Sequence, residues 1–156
     1  MSKLKYPALA GLCFFLLALG IGLNMWFEPH RDVKTAEVFA EFGVDDFTAE
    51  FVDTPEAALE KYLVEDGDSK IVTMSGKIAT IENNLKGDLV IELRGNRTEA
   101  GARFTLIEDQ KEAGLKLAVG DSTKITGVVS AGATYDADFG RYLDAVLEQA
   151  YFQTND

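Results

Sequence analysis

The sequence predicts a small, mainly β domain that follows an apolar N-terminal segment. From Lys70 onward, apolar residues recur at every second position, which is the period of a half-buried β-strand. Ahead of this pattern, residues 8–27 form an apolar run that is long enough to cross a lipid bilayer. The roughly 125 residues beyond the run suffice for one domain with a single core.

The chain is strongly acidic. Its 156 residues include 26 Asp and Glu against 15 Lys and Arg, giving a formal net charge of −11. All of the acidic residues follow the apolar run, whereas Lys3 and Lys5 precede it in the predicted N-terminal tail, residues 1–7. Such a surface repels phosphate backbones unless its cations are clustered, so the charge disfavours a nucleic-acid partner.

Residues 8–27 are predicted to be an uncleaved transmembrane helix. Twenty residues at about 1.5 Å each span the roughly 30 Å of a hydrocarbon core. The alternative is a cleaved signal peptide, for which Gly20, Ile21 and Gly22 offer a small-residue site. Trp26 and Phe27 favour the anchor because they suit the membrane interface. The short N-terminal tail places the domain outside the cytoplasm, in the periplasm or its equivalent, as a single-pass membrane protein.

Residues 28–69 are predicted to be a linker with short helices. Thr35 begins a helical pattern that places Val38 and Phe42 on one face, and Gly43 ends it. A second helix is predicted to start after Thr54, which would act as its N-cap, with a proline at the first helical position.

Four strands follow from the alternation of apolar residues, and Gly76 lies where the first of them could bend sharply. The predicted inward positions are Val72, Met74, Gly76 and Ile78, then Leu89, Ile91 and Leu93, then Ala102, Phe104 and Leu106, then Thr123, Ile125, Gly127 and Val129. Between Leu89 and Leu93 the alternate residues, Val90 among them, are predicted to point outward. Residues 108–114 are predicted to be helical, and residues 141–152 fit a helical face as well as a strand.

The order of these elements resembles the five-stranded OB-fold barrel. Four runs also resemble the bacterial tRNA_anti-like domain, a lipoprotein-type family: TAEVF at 35–39, ALEKY at 58–62, VTMSGKI at 72–78 and LAVGDSTKITG at 117–127. The resemblance covers about residues 35–152. It implies a strand for the last segment, hence a barrel over residues 70–152 with a tail at 153–156. The family name implies nucleic-acid binding by analogy of fold. This sequence departs from the family because Cys13 lies inside the apolar run and lacks a lipid-attachment context.

The residue types needed for common catalytic sites are missing from the predicted domain. His30 is the only histidine and lies just after the apolar run, and Cys13 is the only cysteine. No catalytic triad and no metal site based on histidine or cysteine can therefore form within the domain. We expect a protein that is not an enzyme and that holds no cofactor and no metal.

The candidate ligand site is the outer face of the second and third strands, where OB-folds bind their ligands. This face would carry Arg94, Arg103 and Thr105, with Arg97 in the connecting hairpin. The alternative is a solvated hairpin whose arginines pair with acids such as Glu92 and Glu99, each pair contributing at most about 1 kcal/mol.

Two functions remain open. The first is a membrane-anchored, extracytoplasmic OB-fold module that binds a protein or an oligosaccharide partner in the envelope. The second is a weak single-stranded nucleic-acid binder. The first is preferred because the candidate face lacks aromatic side chains on which bases would stack. Tyr135 and Phe139 follow the fourth strand and are expected to pack within the core or a turn.

Overall fold

A closed five-stranded β-barrel with short helices forms the domain, which a computed structural model describes for residues 33–64 and 69–153. The strands are β1 (Ala40–Gly43), β2 (Ile71–Asn83), β3 (Leu89–Arg94), β4 (Ala102–Leu106), β5 (Ser122–Ala131), β6 (Thr134–Asp136), β7 (Arg141–Leu143) and β8 (Ala145–Tyr151). The helices are α1 (Val44–Asp53), α2 (Pro55–Tyr62) and, after a 3-10 turn at Glu108–Gln110, the short α3 (Lys111–Gly114).

Strand β2 closes the barrel because its two halves pair with different strands. Residues 71–77 pair antiparallel with β5, and residues 77–83 pair antiparallel with β3. The order around the barrel is β2, β3, β4, β8, β5 and back to β2, with β4 and β8 parallel. This is the topology of an OB-fold, so the predicted mainly β, five-stranded barrel is confirmed. The predicted strand within residues 141–152 is confirmed as β7 and β8.

Gly76 lies where β2 passes from one partner to the other. Gly76 itself pairs with Thr123, and the next residue pairs with both β5 and β3. A Cβ atom at position 76 would lie 3.0 Å from Val44 Cγ1 and 3.2 Å from Leu93 Cβ. The absence of a side chain therefore lets α1 and β3 approach the strand where it changes partner.

The core follows the predicted alternation. The predicted inward residues Met74, Ile91, Leu93, Phe104 and Ile125 are all completely buried. They form one apolar cluster inside the barrel.

Val90 departs from that alternation. It lies between two inward residues and was predicted to be exposed, but its side chain is only 5% exposed. It lies between Glu82 of β2 and Thr105 of β4 in the sheet. The side chains of Glu82 and Thr105 flank it on the same face of the sheet, and the valine between them becomes shielded from water.

The predicted helix over residues 35–43 is wrong. Residues 40–43 form β1, which pairs parallel with β2, and the Phe39 N–H donates to the Ile71 carbonyl over 2.7 Å. The helix begins at Val44, just after the glycine that was expected to end one. The apolar pattern was too short to distinguish the two structures, and the pairing with β2 decided the outcome.

Helices α1 and α2 cover one side of the barrel with an aromatic cluster. The rings of Phe47 and Phe51 lie 5.0 and 5.6 Å from that of Tyr62, which is completely buried. The predicted start of α2 at Pro55 is confirmed, but the predicted cap is wrong. The Thr54 hydroxyl donates back to the Glu50 carbonyl over 3.1 Å, and the same carbonyl accepts the Thr54 N–H over 2.9 Å, so Thr54 ends α1 instead of capping α2.

The predicted membrane anchor, residues 8–27, and the tail before it lie outside the described residues. Within residues 33–64 and 69–153, no helix combines the length and the apolar character that a membrane span requires.

Replacing Phe104 by Ala is expected to cost about 3 to 5 kcal/mol of unfolding free energy, because the completely buried ring would leave a cavity. Arg103→Ala, one position away, removes a side chain whose contact is an exposed ion pair with Glu82 and should cost at most about 1 kcal/mol. Urea unfolding followed by circular dichroism measures both. Equal losses for the two variants would contradict the assigned strand faces.

Candidate functional site

A groove of about 790 Å³ lies where the start of α1 meets the bend of β2. The β3–β4 turn forms one wall, the start of β5 forms another, and the chain end after β8 completes it. Most of the lining side chains are polar or charged. They are Asp45, Asp46, Ser75, Lys77, Arg94, Asn96, Arg97, Ser122, Thr123, Lys124 and Gln153.

Asp45 holds the β3–β4 turn in place. Its carboxylate accepts hydrogen bonds from the backbone N–H groups of Asn96, Arg97 and Thr98 at 2.8, 3.0 and 3.0 Å, and from the Thr98 hydroxyl at 3.1 Å. Burial raises the pKa of Asp45, but the hydrogen bonds from the turn outweigh it and leave the pKa below its usual value. A Cβ atom at Gly95 would lie about 2.1 Å from this carboxylate, so the turn can close on Asp45 only with glycine there.

Arg94 is enclosed by acceptors on three sides. Its Nε lies 2.5 Å from a Glu92 carboxylate oxygen, and its Nη2 lies 3.2 and 3.3 Å from the two Asp144 carboxylate oxygens. Its Nη1 donates to the backbone carbonyl of Glu99 over 2.5 Å. The pairing predicted with Glu92 is therefore present, whereas Glu99 contributes its carbonyl oxygen and not its carboxylate.

The other two candidate arginines are also paired. Arg97 donates to the carboxylate of Asp46, and Arg103 donates to that of Glu82. Arg94 and Arg97 line the groove, whereas Arg103 and Thr105 lie on β4 and are not among its lining residues. The structure thus brings only two of the four predicted residues to one site, and ligand binding by any of them stays a prediction.

Lys77 is a groove residue that the sequence reasoning missed. Its side chain is exposed and forms no ion pair with any residue in the described ranges, whereas Lys124 of the groove pairs with Glu41. Ser122 faces Lys77 across the β2–β5 ladder. Neither residue had a role in the sequence-based prediction. The available signal for Lys77 was its place next to Gly76, and no local pattern pairs it with Ser122.

A second exposed feature is the β6–β7 hairpin between β5 and β8. Phe139 at its turn is 73% exposed and Tyr135 is 55% exposed, so neither ring packs in the core, and the contacts of both lie within the hairpin. The Tyr135 ring lies 5.1 Å from that of Tyr142, and the Arg141 guanidinium lies 5.7 Å from the Phe139 ring. The two short strands pair only with each other, so their aromatic side chains lack a second sheet to cover them.

The hairpin is joined to the groove at its base. Asp144, the residue between β7 and β8, holds Arg94 of the groove and also accepts the Gly101 N–H over 2.8 Å.

Within the described ranges, no group of three or more His, Cys, Asp or Glu side chains is placed to hold a metal ion.

Similar proteins of known structure share the fold. A lipoprotein from Klebsiella pneumoniae subsp. pneumoniae, to which nucleic-acid binding has been ascribed, is 20% identical with a TM-score of 0.54. The alignment covers 81% of this chain and 100% of that one. Because the identity is low, the likeness shows a shared fold and nothing more.

Two longer proteins match more weakly. The asparaginyl-tRNA synthetase of Entamoeba histolytica is 20% identical, with a TM-score of 0.38 over 60% of this chain and 23% of that one. A protein assigned as an aspartyl-tRNA synthetase of Leishmania major is 12% identical, with a TM-score of 0.41 over 83% of this chain and 23% of that one. No protein-family model and no curated protein sequence matches the chain. The barrel topology and the likeness to the Klebsiella structure show the OB-fold, whereas membership of the tRNA_anti-like family is not shown.

Asp45→Asn is expected to lower the unfolding free energy by about 1 to 3 kcal/mol near neutral pH, because the neutral amide leaves donors of the turn without a good acceptor. Asp46→Asn is the matched control, since the Asp46 side chain is 64% exposed and contacts Arg97. It should cost at most about 1 kcal/mol.

The pH dependence provides a second measurement for the same pair of variants. The folded-state pKa of Asp45 is lowered from 3.8, so its contribution is complete above that pH and is lost as the pH falls through the lower folded value. Urea unfolding between about pH 3 and pH 7 should therefore show a smaller acid-induced loss in Asp45→Asn than in the wild type or Asp46→Asn. An identical acid-induced loss in all three proteins would contradict this account.

Proposed function

We propose that this protein is a membrane-anchored OB-fold module outside the cytoplasm that binds a protein or an oligosaccharide partner without catalysing a reaction. The observation that supports it most directly is the pairing of the candidate arginines. Arg94, Arg97 and Arg103 each contact a carboxylate. A polyanionic ligand would have to displace those carboxylates, whereas a neutral ligand would not.

The lining of the groove supports the same partner chemistry. Hydroxyl and amide groups of Ser75, Asn96, Ser122, Thr123 and Gln153 are distributed around it. Such groups both donate and accept hydrogen bonds, which suits sugar hydroxyls and peptide groups. The acidic background adds long-range repulsion for phosphate chains, and this repulsion does not act on neutral partners.

Single-stranded nucleic acid is the second candidate, and the β6–β7 hairpin favours it. Exposed Tyr135 and Phe139 offer ring faces on which bases could stack, and Arg141 adds a cation beside them. The function ascribed to the Klebsiella lipoprotein points in the same direction. The paired arginines and the net charge oppose it.

Fluorescence anisotropy with a labelled single-stranded oligonucleotide distinguishes the two candidates. At most three phosphates could be neutralised by the three arginines, which limits the slope of log affinity against log salt to about −2. We expect no saturable binding at about 150 mM salt. Saturable binding that is lost in Phe139→Ala, or in the Arg94→Ala and Arg103→Ala double variant, with an unchanged melting temperature would establish the second candidate.

Photocrosslinking in intact cells tests the preferred function directly. A photoreactive amino acid at Ser122, inside the groove, should yield a discrete adduct with an envelope protein or a glycan. Ser130 is the matched control, because it is an exposed serine on the same strand outside the groove. The same adducts from both positions, or none from Ser122, would contradict binding in the groove.

A further inference from the structure

A row of polar residues follows one face of the β2–β5 ladder into the groove. Residues 73, 75 and 77 of β2 lie opposite residues 126, 124 and 122 of β5, and alternation places all six on the same face. In order along β2, the facing pairs are Thr73 and Thr126, Ser75 and Lys124, and Lys77 and Ser122. The two threonine hydroxyl oxygens lie 2.7 Å apart, so side chains of facing residues meet across these strands.

Lys77 is the cation of the groove that its neighbours leave without a carboxylate. Lys124 pairs with Glu41, and the two groove arginines pair with acids on their own side of the groove. Within residues 33–64 and 69–153, the exposed Lys77 side chain has no such partner, and the hydroxyl of Ser122 opposite it has none either. An ammonium and a hydroxyl on facing residues can donate to the two oxygens of one carboxylate.

The groove can therefore accept one negative charge but not a series of them. A ligand with several anionic groups would need further cations, and those of the groove already contact carboxylates. A ligand with a single carboxylate binds at Lys77 without displacing any of these acids. Long-range repulsion from the acidic surface also acts on only one charge of such a ligand.

The rest of the lining suits a ligand rich in hydroxyl groups. Guanidinium groups and carboxylates that are paired with each other keep further N–H donors and lone pairs, and Ser75, Asn96 and Thr123 add groups of both kinds. Val44 is only 2% exposed, so half-buried Phe152 is the one apolar side chain among the described lining residues that a ligand can reach. Protein partners are usually anchored by aromatic or aliphatic side chains in apolar pockets, and this lining does not form one.

We propose that the groove binds an oligosaccharide that carries a carboxylate, of the uronic acid or sialic acid class, and that Lys77 and Ser122 hold this carboxylate. The inference rests on the proposed function and names which of its two partner classes the groove takes. The volume of about 790 Å³ lies within the usual range of ligand sites, about 300 to 1,000 Å³. Because Lys77 lies at one place along the groove, the single charge also fixes the direction in which the sugar chain lies.

A glycan array probed with the full chain in detergent micelles tests the inference. The array carries oligosaccharides with uronic or sialic acid units, their neutral counterparts, and sulfated glycans. The carboxylated glycans should give the strongest signal. Lys77→Gln should weaken their binding about tenfold or more, because a charged hydrogen-bond donor is lost, whereas Lys77→Arg should retain most of it.

Lys116→Gln is the matched control, because Lys116 is an exposed lysine that does not line the groove. It should bind like the wild type, and both glutamine variants should keep the wild-type melting temperature. An equal loss of binding in Lys116→Gln would indicate a general effect of charge and overturn the assignment to Lys77.

The array and the photocrosslinking at position 122 together separate the possible failures. Neutral glycans that bind as tightly as carboxylated ones would overturn the role of Lys77 but leave an oligosaccharide partner. Preferential binding of sulfated glycans would contradict a site for a single carboxylate. No glycan binding, combined with a protein adduct at position 122, would overturn the inference and leave the proposed function with its protein partner. Neither glycan binding nor an adduct would contradict both.

Discussion

The structure depends on a change of partner within one strand. Strand β2 pairs with β5 along its first half and with β3 along its second, and without this change the sheet would remain open. The change requires a backbone that can bend while other elements approach closely. Gly76 meets both needs because it has no side chain to meet Val44 and Leu93. The same bend leaves space beside it, and the groove of about 790 Å³ occupies that space.

The acidic character of the chain acts locally as well as globally. Asp45 organises the β3–β4 turn by accepting hydrogen bonds from three successive backbone N–H groups. Asp46, Glu92 and Asp144 neutralise the arginines that border the groove. The acids thus build the wall of the candidate site and at the same time occupy the cations that a phosphate would need. A ligand in a groove of this construction would be selected by hydrogen bonding and shape more than by charge.

The sequence alone predicted the parts of the fold that repeat a simple local pattern. Alternation identified the core positions of β2 to β5, because a half-buried strand imposes that period on every residue. Strand β1 was missed because its pairing with β2 joins residues about thirty positions apart, which no local pattern records. The groove was missed for the same reason, since Lys77 and Ser122 meet only once the barrel closes. Tyr135 and Phe139 lie outside the core, although aromatic residues are usually buried, because an isolated two-stranded hairpin offers them no cover.

The position of β8 in the barrel has a consequence for the timing of folding. Strand β8 is the last strand in the chain, yet it lies between β4 and β5 and joins them. Residues 102–106 therefore lack one of their two neighbours until residues 145–151 are present. A growing chain delivers these residues after every other strand of the barrel, so the barrel cannot close until residue 151 has been synthesised.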